Sequence, residues 1–388
     1  MTGSRILYAA IVIVAFIFSQ ALYDPISLFT LICVLLLPLI SLVCMLIGSA
    51  SVHVKCAIAK REIYRFEQSK LLAEIRCGFP LISPVMTLYC KLPEENGDRS
   101  LPRRLHISFT PRAKTTIEIP FSFGYRGIYQ IGAQTIEICD FLRLFRMHKR
   151  IDKIWNVRVM PRLLSSDLAL IQRVFLDEGS GTEMIGSPAY AAEIMGVRDY
   201  EDGEPLRFVH WNLSAVRDKL MVKSFASVRQ QQVYLLLDLT DPEPAALSSR
   251  RLGDAMVETV LSVAREYLDH IGAICMMWNA GDLQRREVST PQQLATVHTE
   301  IALCPMQSYR HMDEAMDKIG EVQELCVVVG RLNDDKMRRI EVLRHVVRCP
   351  ITLLAFEYSA TVSAESLLGK NIRLQMLDLA AVEEGRLA

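Results

Sequence analysis

Two long apolar runs separated by a short polar break open the chain, and they constrain everything after them. Ile6 to Tyr23 is interrupted only by Ser19 and Gln20. Tyr23-Asp24-Pro25 breaks the run, and Ile26 to Val54 contains no Asp, Glu, Lys or Arg. A helix rises about 1.5 Å per residue, so about 20 apolar residues cross a hydrocarbon core of about 30 Å. Both runs have that reach, and the pattern predicts two transmembrane helices joined by a tight reversal. Arg5 precedes the first run, and Lys55, Lys60 and Arg61 follow the second. Positive residues favour the cytoplasmic side, so a multi-pass anchor in the cell membrane with cytoplasmic soluble domains is expected. The competing reading is a cleaved signal peptide, with Ser19-Gln20-Ala21 as its small-x-small site. The second span follows at once and the leading segment has a single charge, which favours the anchor. Pro38 lies inside the second run and predicts a kink, since neighbouring groups in a bundle can satisfy the freed carbonyl.

The rest of the 388 residues is long enough for two ordinary domains. Lys plus Arg and Asp plus Glu each number 44, so no basic excess points to nucleic acid. Ten cysteines occur with no Cys-x-x-Cys pair. Scattered usage of this kind fits a reducing compartment.

From residue 56 to 165 the dominant period is two. Thr116 to Phe123 places apolar residues at every second position, as do Leu88, Cys90 and Leu92. Turn chemistry at Pro93-Glu94-Glu95-Asn96-Gly97, Thr110-Pro111-Arg112 and Gly132-Ala133 divides the runs. Short alternating strands at this spacing predict an antiparallel β-sandwich. From 233 to 388 the pattern changes. Val233 to Leu239 is an almost continuous apolar run carrying Asp238, and Arg251 to Ile271 has helical spacing. Strands are expected near 273–278, 325–329, 351–356 and 372–377, with helices at 291–302, 308–320 and 334–347. That alternation predicts a doubly wound α/β domain. Its ligands would gather where the strands end, at Asp238-Leu239-Thr240-Asp241-Pro242, Asn279-Ala280-Gly281-Asp282 and Gly330 to Asp334. No Gly-x-Gly-x-x-Gly follows the first strand, so no nucleotide is expected. Two glycines in Gly179-Ser180-Gly181-Thr182-Glu183 are too little for an anion cradle. No nucleophile elbow and no His-Glu-x-x-His occur, and the eight histidines are scattered, so catalytic residues are not expected. The expected organisation is a helical hairpin (1–55), a strand domain (56–165), a linker (166–232) and an α/β domain (233–388).

The linker is the most distinctive stretch. It contains Arg198-Asp199-Tyr200, Gly203-Glu204, Arg207, Trp211 and Ser214-Ala215, then Leu220 to Phe225. This pattern resembles the signature of the domain of unknown function 58 family, with Glu204 where Asp is usual and Val216 where Arg is usual. Tyr125 to Gly132, Asp140-Phe141 and Val157 to Pro161 also look family-like. The resemblance implies a C-terminal domain close to the von Willebrand factor A type and a partnership with a MoxR-type AAA+ ATPase that assists assembly or regulation of protein complexes. It also implies a divalent-metal site at the first strand end. There Asp238 fits the first ligand and Thr240 can replace a serine, but Pro242 offers no side-chain oxygen, so Mg²⁺ meets a degenerate set. The expected function is therefore a non-enzymatic, membrane-anchored protein-interaction module. The alternatives are a metal-dependent ligand-binding module and an unrecognised envelope enzyme.

Arg198, Tyr200, Gly203, Glu204, Arg207, Trp211 and Ser214 form the candidate motif, either fixing the linker or presenting a docking surface. As a buried anchor, Trp211 replaced by Ala should lower stability by about 3–5 kcal/mol in thermal denaturation. An unchanged melting temperature would put the ring on a docking surface.

Overall fold

The computed structural model describes residues 2–22, 24–78, 85–93, 100–108, 114–166, 194–199, 211–217, 219–225, 233–270, 272–280, 282–308, 324–347, 349–359 and 372–387. They fall into two compact units, Met1–Met160 and Pro161–Ala388. The Gly179–Glu183 run and the expected helix at 308–320 beyond Ser308 lie outside the described residues.

The first unit begins with α1 (Thr2–Leu22) and α2 (Pro25–Ser51). Both are long and apolar enough to cross a membrane. Pro25 starts α2 at a position where its missing N–H costs nothing, and Pro38 is accommodated within the helix. At 27 residues α2 spans about 40 Å, more than a hydrocarbon core of about 30 Å. Its last three turns show where the excess goes. Ser41, Met45, Gly48 and Ser49 are buried. Ser41 Oγ donates to Asp140 Oδ2 at 2.5 Å, while Asp140 Oδ1 accepts from Phe145 N at 2.8 Å. Lys149 Nζ donates to the carbonyls of Ser49 and Val52, and Arg5 donates twice to Leu144 O. The apolar run of the sequence is therefore two things, an apolar span and a stalk packed on strands.

Those strands form two sheets. One has three antiparallel strands in the order β1 (Val52–Ile58), β3 (Ser69–Cys77), β6 (Lys114–Phe121). The other has the order β2 (Glu62–Tyr64), β8 (Arg146–Met160), β7 (Gly127–Cys139), β4 (Val85–Pro93), β5 (Ser100–Ser108). Leu71 and Ile75 of the first sheet share one apolar cluster with Met86, Leu88, Ile136 and Val157 of the second. The expectation of antiparallel pairing throughout is corrected at one edge: β2 runs parallel to β8, so that sheet is mixed. Gly132-Ala133 is also not a turn. It lies inside β7, at a shift of register against β8, and a Cβ on Gly132 would sit 1.9 Å from Lys153 O. The glycine admits a close backbone crossing rather than a reversal.

The second unit is built on a six-stranded mixed sheet. Its order is β14 (Asp282–Val288), β13 (Ile274–Ala280), β12 (Val233–Asp238), β15 (Glu324–Leu332), β16 (Ile351–Tyr358), β17 (Ile372–Met376). Every neighbouring pair is parallel except β13–β14. Strand β14 was not foreseen, because only Leu283 and Val288 of its seven residues are buried and no alternation shows. Side chains of β12 alternate between two cores. Val233, Leu235 and Leu237 face the helix Leu247–His270 and the helix Pro291–Ala302, while Tyr234 and Leu236 face the helix Asp334–Val347. The second of these helices starts on a full capping box, Thr290 with Gln293, and Pro291 at its first turn.

A buried ion pair fastens the start of this unit to its end. Glu258, fully buried, accepts from Arg162 Nε at 3.2 Å, Arg162 Nη2 at 3.1 Å and Arg162 N at 2.9 Å. The same guanidinium donates to the carbonyls of Val382 and Glu383. Beside it β9 (Ser165–Ser166) pairs in parallel with β18 (Arg386–Leu387). Removing Arg162 strands the fully buried Glu258 carboxylate, so Arg162→Met should cost about 3–5 kcal/mol in denaturant unfolding, and Arg162→Met with Glu258→Leu together much less. Equal losses would contradict this.

His298 Nε2 lies 2.9 Å from Pro161 O. Burial pushes its imidazole below the ordinary value, and the bond to Pro161 only partly offsets this. A depressed folded pKa means the unfolded chain takes the proton first. The stability contribution is thus present above about pH 6.5 and is lost as pH falls through the folded value. His298→Gln should flatten the decline in unfolding free energy on that acid side; an unchanged slope would contradict the assignment.

Candidate functional site

The carboxyl ends of β12, β13 and β15 meet at one edge of the second unit's sheet. Strand β12 is buried along its whole length and delivers Asp238, itself buried, to that edge. The chain beyond it is held firmly: Gln307 N donates to Leu239 O at 2.8 Å, and Asp241 N donates to Gln307 O at 2.9 Å. Thr240 turns back on Asp238, its hydroxyl donating to Oδ1 at 2.7 Å and its N–H to the same oxygen at 3.2 Å.

Strand β15 ends at Leu332 and hands over to the helix Asp334–Val347. Asn333 caps that helix, accepting from Lys336 N at 2.9 Å through Oδ1. The first turn then sets Lys336 against β12. Its buried ammonium is 3.0 Å from Asp238 Oδ2 and donates to Thr240 O at 2.8 Å. A cation in the first turn of a helix opposes the helix dipole. Asp334 and Asp335 in the same turn, and Asp238 across the gap, offset that. From β13, Asn279 Oδ1 accepts from Leu239 N at 3.0 Å, and Asn279 Nδ2 is buried with no hydrogen-bond partner among the described residues. Asp241 is buried too. Its Oδ1 accepts from Ser249 Oγ and Glu243 N, both at 2.9 Å. Arg331 lies 3.9 Å from Asp241 Oδ2 and 2.9 Å from Glu357 Oε2, and the Glu357 hydrogen bond pushes the guanidinium pKa above its ordinary range.

This donor set does not fit a divalent cation. Mg²⁺ asks for about six oxygens. Both Asp238 oxygens already take donors, and Pro242 supplies none. The one acceptor of the Asn279 side chain is used on Leu239, so it adds no free oxygen for a cation. Among the described residues no group of three or more His, Cys, Asp or Glu could hold a metal ion. The expected ligands Asp238 and Thr240 are thus brought together, but with each other and with Lys336. The sequence reading missed Lys336, because pairing it with Asp238 requires β15 and the helix after it to lie beside β12.

The linker motif is partly visible. Strand β10 (Ile194–Asp199), which carries Arg198, pairs antiparallel with β11 (Met221–Phe225). Trp211 begins a short helix, Trp211–Arg217. The helix is tied to β11 by Ser214, whose buried Oγ accepts from Met221 N at 2.9 Å. Tyr200, Gly203, Glu204 and Arg207 lie outside the described residues, as do the side chains of Arg198 and Trp211.

This strand pair, the short helix and part of the following sheet fall largely within one family match. Residues 196–345 match the family described as Protein of unknown function DUF58. That match supports the DUF58 family for this chain, and the DUF58 stretch contains both Ser214 and the Asp238–Lys336 pair. No curated protein matches the sequence. Among solved structures, the chain is similar to the CARDB domain of the PF1109 protein in complex with di-metal ions from Pyrococcus furiosus. That likeness has 10% identity and a TM-score of 0.18, covering 28% of this chain and 90% of that one. A β-glucosidase from Listeria innocua in complex with isofagomine gives 10% identity and a TM-score of 0.19, over 28% of this chain and 16% of that one. The alkylpurine DNA glycosylase AlkC from Pseudomonas fluorescens gives 12% identity and a TM-score of 0.19, over 33% and 38%. At those scores the likenesses carry no argument about fold or function.

Within the DUF58 stretch, Ser214→Ala should lower stability by about 1–3 kcal/mol, because Met221 N–H loses its buried acceptor. Ser214→Thr, which keeps the oxygen, should lose less in the same thermal melt; equal losses would deny the bond its role.

Proposed function

We propose that this chain is a membrane-anchored protein-interaction module. Its soluble units lie in the cytoplasm, the first a β-sandwich and the second a doubly wound α/β domain of von Willebrand factor A-like type. It assists assembly or regulation of a protein complex together with a MoxR-type AAA+ ATPase. The observation that carries this reading is the filled strand-end edge. Where α/β sheets usually receive small ligands, Asp238, Thr240, Asn279 and Asp241 are engaged with Lys336, Leu239, Ser249 and Glu243. An edge closed in this way favours recognition of another macromolecule over chemistry on a small one. The two apolar helices support the anchor, and the partner class is what the linker motif's resemblance to the DUF58 family implies.

The test is purification of the full chain from detergent-solubilised membranes, with α1 and α2 fused to an unrelated soluble protein as control. The expected result is a MoxR-type ATPase that co-elutes with the full chain and not with the control; its absence contradicts the proposal. Orientation is tested separately. Protease added to intact cells should leave the segment after residue 55 undigested, and digestion would place it outside.

A further inference from the structure

The structure assigns the cation of the strand-end site to Lys336 itself, which makes the site a metal-free, permanently closed junction between β12 and the helix Asp334–Val347. Four observations on the page carry this. The ammonium is 3.0 Å from Asp238 Oδ2, so it occupies the coordinating edge of the one carboxylate a metal would need first. It also binds Thr240 O at 2.8 Å, so a single charge bridges the side chain and the backbone of the loop after β12. Asp238 and Lys336 are both buried, and an ion pair so placed is held together by the cost of leaving either member alone. The neighbouring side-chain acceptor, Asn279 Oδ1, is taken by Leu239 N at 3.0 Å, so it adds no free oxygen for a metal. A metal ion exchanges with solvent and gives a site two states, loaded and empty. A cation tethered through the chain gives it one.

The consequence for docking rests on the proposed function: partner capture at this edge is independent of divalent ions. The assignment of Lys336 does not rest on it, and the two fail separately.

The experiment uses the full chain in detergent micelles with Mn²⁺ as the probe. Wild type should show no Mn²⁺-dependent rise in melting temperature and no bound-Mn²⁺ signal by electron paramagnetic resonance. A rise or bound signal that disappears in Asp238→Asn overturns the assignment. In a double-mutant cycle, Lys336→Met and Asp238→Asn should each lower the melting temperature, and the double variant by clearly less than the sum. Additive losses overturn it. Should a single variant fail to fold, amine-reactive labelling of native wild type decides. Lys336 should be modified at least about tenfold more slowly than exposed Lys60 or Lys70, with or without EDTA, because its charge is paired and dry. Labelling at the surface rate, or protection lost on adding EDTA, overturns the assignment. If Lys336 passes and the full chain captures no MoxR-type ATPase, the docking reading alone is at fault.

Discussion

A charge withdrawn from water must be met by another charge or by several hydrogen bonds, and this constraint organises both compact units. In the first, Asp140 lies buried because Ser41 and the Phe145 amide satisfy it, and that contact helps tie the second apolar helix to strands. In the same unit Glu137 is buried beside Tyr89 and Arg146; burial pushes its pKa up, and the Tyr89 hydroxyl and Arg146 outweigh this and hold it below the usual range. In the second unit Arg162 and Glu258 join the start of the unit to its end. Asp238 and Lys336 close the sheet's carboxyl edge. Ser41 with Asp140, Arg162 with Glu258 and Asp238 with Lys336 join elements far apart in sequence, while Glu137 with Arg146 joins neighbouring strands.

The same constraint bears on function. A sheet edge rich in acids attracts a divalent cation only if oxygens are left over. Here the lysine, the threonine hydroxyl and two backbone amides have taken them. Arg331, about a third exposed, lies on that edge between Asp241 and Glu357. Such an edge holds its buried acids Asp238 and Asp241 in engaged contacts. It suits a surface that is recognised by shape and charge pattern, as the proposed docking module requires.

Much of the architecture was legible in the sequence, for physical reasons that differ from element to element. The two spans declare themselves by hydropathy, and β12 by an unbroken apolar run that only a strand buried on both faces needs. The helix Pro291–Ala302 is announced by Thr290, Pro291 and Gln293. What escaped depends on neighbours distant in sequence. Gly132 looked like a turn because the sequence does not show Lys153 O lying 1.9 Å from where its Cβ would be. Strand β14 is an edge, and edges need few apolar residues. The last turns of α2 looked like membrane because Asp140, which receives Ser41, is 99 residues away. The site was half legible: Asp238 and Thr240 could be picked from the strand end, and Lys336 could not be paired with them until β15 was placed beside β12.

The most direct measurement of the central claim is diffraction from crystals of the full chain soaked in Mn²⁺, recorded at the manganese absorption edge. The account predicts no anomalous peak at Asp238 and ordered density for the Lys336 ammonium at its 3.0 Å contact. An anomalous peak bound to Asp238, with Lys336 turned away, would contradict it.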